Sequence, residues 1–340
     1  MERKTKDILG YAFSAAVAAV LLWFSFRGIG WDDFREGLRA CSWGYVAAAM
    51  AFGVLSFWLR GLRWRELLLP TDPSVRRRTC FNAVCVSYLA NMVIPRAGEL
   101  VRCNLVARRS APDAEGRRKA SFDKVLGTVV VDRIWDTLTL LLLLVVLMLT
   151  LGGRLAALFS GGEVKWESGM LRIAGVILLA GVAAAALLWF LRDRNAFFRK
   201  VWGFIGGIFQ GMASCLRMKG WWKFLLYTLL VWGCYWMTCH CILLAVQGRL
   251  PGFDTLTATD SLFLMVVGSI SSVVPVPGGF GAYHYIISLA LTSLYGIPSE
   301  YGLVWATLNH ESQAIAQIVC GGAGWAYETL RKDKFDGAVV

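Results

Sequence analysis

Six stretches of this sequence, 8–26, 45–64, 125–151, 171–191, 222–246 and 301–327, are apolar over lengths that match a bilayer. A helix needs about 20 apolar residues to cross the roughly 30 Å of hydrocarbon. No single water-facing core can bury that many such runs. The composition agrees: 57% of the 340 residues are hydrophobic and only 17% are charged, against about 25% charged in ordinary soluble domains. A soluble globular enzyme, a secreted disulfide scaffold and a disordered chain are excluded. The expected class is an all-α polytopic membrane protein, a single membrane domain over 1–340.

The formal net charge of +12 would suit a nucleic-acid binder, but its placement does not. If the N-terminus is cytoplasmic, the inner stretches 1–7, 60–78, 96–124, 192–223 and 331–340 hold 27 of the 35 Lys and Arg residues. The outer side holds seven, which leaves Arg133, deep inside the span 125–151. That asymmetry is the positive-inside pattern, and it predicts a multi-pass protein of the cytoplasmic (inner) membrane with both termini in the cytoplasm and no nucleic-acid partner. Trp31, Trp43, Trp166, Trp202, Trp221 and Trp222 sit near proposed span ends, as an aromatic belt would. Arg3, Lys4 and Lys6 before 8–26 resemble a signal sequence, but no A-x-A site follows, so an uncleaved first helix is expected. Seven of the nine cysteines (Cys80, Cys85, Cys215, Cys234, Cys239, Cys241, Cys320) lie in or beside apolar segments and read as reduced packing residues.

Two further apolar segments, 80–104 and 260–294, are broken midway by Pro and Gly. The first has basic sequence on both sides and the second lies between Arg249 and Glu300, so each should enter the membrane and return to the same side as a re-entrant hairpin of two half-helices. The breaks also match one another. Val93-Ile94-Pro95-Arg96-Ala97-Gly98 overlays Val273-Val274-Pro275-Val276-Pro277-Gly278 at a constant offset, with small polar residues before and a polar-faced span after each. The halves 1–152 and 170–330 then read span, span, hairpin, span twice over. An odd number of full spans in the first half inserts the second upside down, which is an inverted-topology repeat with six full spans in all.

Four groups of residues carry candidate chemistry. Around the first break, Asn91, Arg96, Gly98, Glu99 and Arg102 combine a freed helix start with two guanidinium groups that suit a phosphate, Glu99 being placed to orient either. The bland alternative is a kinked helix with cytoplasmic surface charges. Around the second break, Ser271, Ser272, Gly278, Gly279 and Gly281 let backbone approach a ligand, and five helix breakers in seven residues exceed what a plain turn needs. Asp132, Arg133 and Asp136 lie on neighbouring faces of one helix, either as a closed ion pair or with Arg133 joining Arg96 and Arg102 in neutralising the phosphate and the excess acids, Asp132 and Asp136, as proton or cation participants. His284, His310 and Glu311 read as a proton relay or as packing donors, and His240 as packing. No two histidines have i, i+4 spacing, so no metal is expected, and neither a G-x-S-x-G nor a G-x-G-x-x-G motif is present.

At these residues the chain resembles the flippase-like membrane family of the lysylphosphatidylglycerol synthase transmembrane region. The likeness rests on Pro95-Arg96-x-Gly98-Glu99-x-x-Arg102, on Asp132, Arg133 and Asp136, and on Pro275-x-Pro277-Gly278-Gly279-x-Gly281, and it extends from about residue 8 to 328. The resemblance implies movement of lipids between leaflets, notably aminoacylated phosphatidylglycerol, with some relatives tied to polyprenyl-phosphate or hopanoid pathways. Tyr283-His284 departs from the Glu that relatives often carry, and nothing after Lys332 is long enough for an aminoacyl-transfer domain. The expected function is therefore a lipid translocase, not an enzyme, with no cofactor. Its partners would be a phosphate-bearing membrane lipid and a separate lipid-modifying enzyme. The alternatives are a membrane-embedded lipid-phosphate-modifying enzyme or accessory subunit, and a small-solute or ion transporter.

Overall fold

Every regular element that a computed structural model describes is a helix. Residues 2–116, 118–160, 190, 218–271 and 274–331 are described. Ser272, Cys215, Trp166, Trp202 and all but residue 190 of the expected span 171–191 lie outside them. The helices are α1 (Glu2–Phe26), α2 (Trp31–Ala40), α3 (Trp43–Leu68), α4 (Arg77–Val93), α5 (Gly98–Arg109), α6 (Phe122–Ser160), α7 (Trp221–Val246), α8 (Ala258–Ser271), α9 (Ala282–Tyr295) and α10 (Ser299–Leu330). The cysteines among these residues are free. By length and composition α3 and α7 can each cross a membrane, and α1 with α2, bent by 89°, is a third candidate. The continuous 32-residue α10 is long enough to span but carries Asn309, His310, Glu311, Ser312 and Gln313 in its middle, which lowers its hydropathy and marks it as an interior helix.

The chain divides into two compact units, Met1–Val130 with Gly220–Val340, and Val131–Lys219. In the first unit α10 packs against α2, α3, α4, α7 and α9. Small residues allow the close approach that helix association in lipid requires: a Cβ on Gly321 would stand 2.9 Å from the Cys85 carbonyl oxygen of α4. α3 lies along α7 through Leu59, Val231 and Cys234, with Phe52, Tyr227 and Tyr235 around them, and Arg60 donates to the Tyr235 hydroxyl at 2.9 Å. Nearer the other end of α10, Glu328 accepts from Asn82 Nδ2 at 2.7 Å and pairs with Arg109 Nε at 3.1 Å, joining α10 to both α4 and α5.

The two segments broken by Pro and Gly each fold as helix, break and helix, with the arms packed on one another: α4 on α5, and α8 on α9. A buried aspartate ties the base of each pair. Asp72, just before α4, accepts from the Ser110 hydroxyl at 2.6 Å and the Ala111 amide at 3.1 Å just after α5, and from the Ser74 hydroxyl and amide. Burial raises its pKa, the hydrogen bonds from Ser110, Ser74 and Ala111 lower it, and the balance leaves the carboxyl below its ordinary value. Asp260, in the first turn of α8, accepts from the Thr257 amide and hydroxyl, both at 2.7 Å, and from Tyr295 at the end of α9 at 3.0 Å. The breaks lie at the ends of the pairs opposite these ties.

Candidate functional site

The first break follows from Pro95. The residue before a proline is pushed out of the helical region, and Ile94 ends α4 extended at φ −126°, ψ 112°. The chain then reverses through Arg96 at φ 65°, a left-handed conformation that costs a non-glycine residue about 1–2 kcal/mol and collects at ligand sites. Asn91 spans the break: its Oδ1 accepts the Gly98 amide at 2.8 Å, satisfying the first donor of α5. Gly98 seats α5 on α4, because any Cβ there would overlap the Ser87 carbonyl oxygen. One turn on, Glu99 pairs with Arg102 at 2.6 Å. Arg102 is almost completely buried, its guanidinium 4.8 Å from the Trp64 ring centroid, whereas Arg96 is exposed.

The second break begins where α8 ends at Ser271, whose hydroxyl donates to the Gly268 carbonyl at 2.6 Å. It continues through Pro275 into a single 3-10 turn, Pro277–Gly279, and reaches α9 through Gly281. Gly278, Gly279 and Gly281 all have positive φ, of 59°, 79° and 79°. Gly281 has a packing role as well, since a Cβ there would stand 2.7 Å from the Ala18 carbonyl oxygen of α1.

Both breaks line one cavity of about 360 Å³. Tyr88, Asn91, Pro95, Arg96 and Glu99 contribute from the first, and Ser271, Pro275, Gly278, Gly279 and Tyr283 from the second, with His310 and Gln317 from α10. Glu99 and Tyr283 stand in the first turns of α5 and α9, so the partial positive ends of two helices abut the cavity beside the Arg96 guanidinium. The Tyr283 hydroxyl is fixed from behind by Asn309 Nδ2.

Against the cavity wall stands a cluster on two helices. Glu311 Oε1 is 3.0 Å from His310 Nδ1 and 3.4 Å from His284 Nε2, and His310 Nε2 is 3.0 Å from the Gly278 carbonyl oxygen. Both nitrogens of His310 thus face atoms that only accept when Glu311 is ionised. Neutral imidazole has a single N–H, so His310 can donate to either Glu311 or Gly278, and to both only as imidazolium.

The structure brings Asn91, Arg96, Glu99, Ser271, Gly278, Gly279 and His310 onto the cavity. Gly98 and Gly281 hold its walls through backbone contacts, and Arg102 faces Trp64 instead of the cavity. His284 and Glu311 stand behind His310. Asp132, Arg133 and Asp136 belong to the second unit, where Arg133 Nη1 pairs with Asp136 Oδ2 at 3.5 Å. Tyr88, Tyr283 and Gln317 also line the cavity and are not among the site residues expected from the sequence. Tyr88 is three residues before Asn91, the spacing of one helix face, and that was the available signal.

The family described as Lysylphosphatidylglycerol synthase TM region matches the chain over residues 8–321. Among curated proteins the chain is similar to Glycosyltransferase AglD of Haloferax volcanii, 29% identical over 311 residues, covering 82% of this chain and 48% of AglD. The chain therefore spans about half the length of that relative. No solved structure matches it significantly.

Proposed function

The chain belongs to the lysylphosphatidylglycerol synthase transmembrane-region family, and from that premise we propose that it is a lipid translocase. Its substrate is an anionic or aminoacylated phospholipid, or a polyprenyl-phosphate-linked lipid, moved between leaflets of the cytoplasmic membrane. The observation that carries this reading is the cavity where the two breaks meet. Its polar lining is small and convergent, its one arginine is Arg96, and the positive ends of α5 and α9 open onto it. A lipid phosphate seats there while the tails remain in lipid, and the His284–His310–Glu311 cluster stands behind the second break. In this reading the two helix pairs are re-entrant hairpins among six full spans. The halves form an inverted repeat whose rocking alternates access, and both termini are cytoplasmic. Asp132 and Asp136 exchange protons as the cycle proceeds.

A second reading, in which the chain modifies a lipid phosphate or serves an enzyme that does, is favoured by the similarity to AglD, which is named a glycosyltransferase. One experiment separates the readings. In proteoliposomes holding lipids with a quenchable label on the head group, the translocase makes the inner-leaflet pool of a phosphate-bearing lipid accessible to an impermeant quencher, with the lipid chemically unchanged. Covalent change of the lipid would establish the enzyme instead. Flux of a small solute with no lipid movement would establish a solute transporter.

A further inference from the structure

We infer that His284, His310 and Glu311 form a binding site for one divalent cation of the Zn2+ type, at the wall of the cavity. The three ligand atoms lie within 4.8 Å of one another. Around a tetrahedral zinc ion with bonds of about 2.0–2.1 Å, ligand atoms stand roughly 3.3 Å apart. The two edges that meet at Glu311 Oε1, 3.0 Å and 3.4 Å, already have that length. Only the edge between the two imidazoles remains to close.

The surroundings are those of a ligand set. His310 Nε2 meets the Gly278 carbonyl oxygen at 3.0 Å, a backbone acceptor able to take an Nε2 hydrogen and leave Nδ1 to a metal ion. Metal-bound histidines are oriented in this way by their second nitrogen. A metal ion beside Glu311 Oε1 would also take the Nε2 of the buried His284, which points at the same oxygen. The set is two histidines and a glutamate, and Glu311 remains 36% exposed. Three protein ligands with an open side are the pattern of a site that accepts a further oxygen ligand, here water or a phosphate oxygen. Spacing in the sequence cannot reveal such a site, because His284 is on α9 and the other two ligands are on α10.

The inference does not depend on lipid movement, and its test uses the metal alone. Tag-free full-length chain is stripped with a chelator and titrated with Co2+, whose tetrahedral complexes absorb strongly in the visible. One Co2+ per chain is expected, displaced by Zn2+, with X-ray absorption showing two imidazoles on the ion. His310→Ala and Glu311→Gln should each weaken binding by about tenfold to a hundredfold, while His240→Ala, which removes the remaining histidine, leaves it unchanged. No saturable Co2+ binding by the unaltered chain, or equal binding by Glu311→Gln and His310→Ala, would overturn the site. The reading of the unaltered chain stands even if a variant folds poorly.

Discussion

Replacing Arg96 with alanine should slow lipid movement in proteoliposomes by about tenfold to a hundredfold. A charge-assisted hydrogen bond to a phosphate contributes about 1.5–3 kcal/mol, and each 1.4 kcal/mol is a factor of ten in rate. Arg96→Lys keeps the charge but loses the planar fork, and should fall between the two. The backbone supplies a control that separates binding from folding. Arg96 sits at φ 65°, so Arg96→Gly removes the left-handed strain together with the guanidinium. That variant should melt no lower than the unaltered protein and still fail to transport. Transport by Arg96→Gly at the normal rate would remove Arg96 from the site.

The second large effect is expected at Gly98. A methyl group there overlaps the Ser87 carbonyl oxygen and stands 2.8 Å from Asn91 Oδ1. The first obstacle is helix backbone, which cannot turn aside, so Gly98→Ala must push α5 off α4 and break the hydrogen bond from the Gly98 amide to Asn91. Overpacking together with that lost bond costs about 3 kcal/mol, seen as a fall of several degrees in melting temperature and as lost transport. Gly322→Ala is the matched control. Its Cβ would meet nothing within 4 Å, and alanine is favoured over glycine inside a helix by about 1 kcal/mol, so melting should hold or rise. Equal melting of the Gly98→Ala and unaltered chains would show that the two arms are not seated as described.

The sequence makes the two breaks legible because Pro and Gly act locally. Pro95 forces Ile94 out of the helix, and Gly278 and Gly279 can take the positive φ that other residues resist. The matched motifs at 93–98 and 273–278 led to the expectation that both breaks serve one purpose, and they line one cavity. What was not legible depends on rotation and on contacts distant in sequence. Arg96 and Arg102 are equally good phosphate ligands on paper. Only the fold turns one outward and stacks the other on Trp64, and the Glu99–Arg102 spacing of three residues was the local hint. The aspartate ties were hidden because Asp72 finds Ser110 and Asp260 finds Tyr295 across the full length of a helix pair. The histidine–glutamate cluster was hidden because its members come from two helices. The count of spans read from hydropathy is also blurred where function puts polar residues in a span, as Asn309 to Gln313 do in α10.

The central claim is that the cavity between the two breaks holds the phosphate of a membrane lipid, and native mass spectrometry of the chain released from mild detergent tests it most directly. The unaltered protein should retain one phosphate-bearing lipid per chain, and Arg96→Gly, with its fold intact, should lose it. The same lipid complement on both proteins, or no bound lipid on the unaltered one, would contradict the claim.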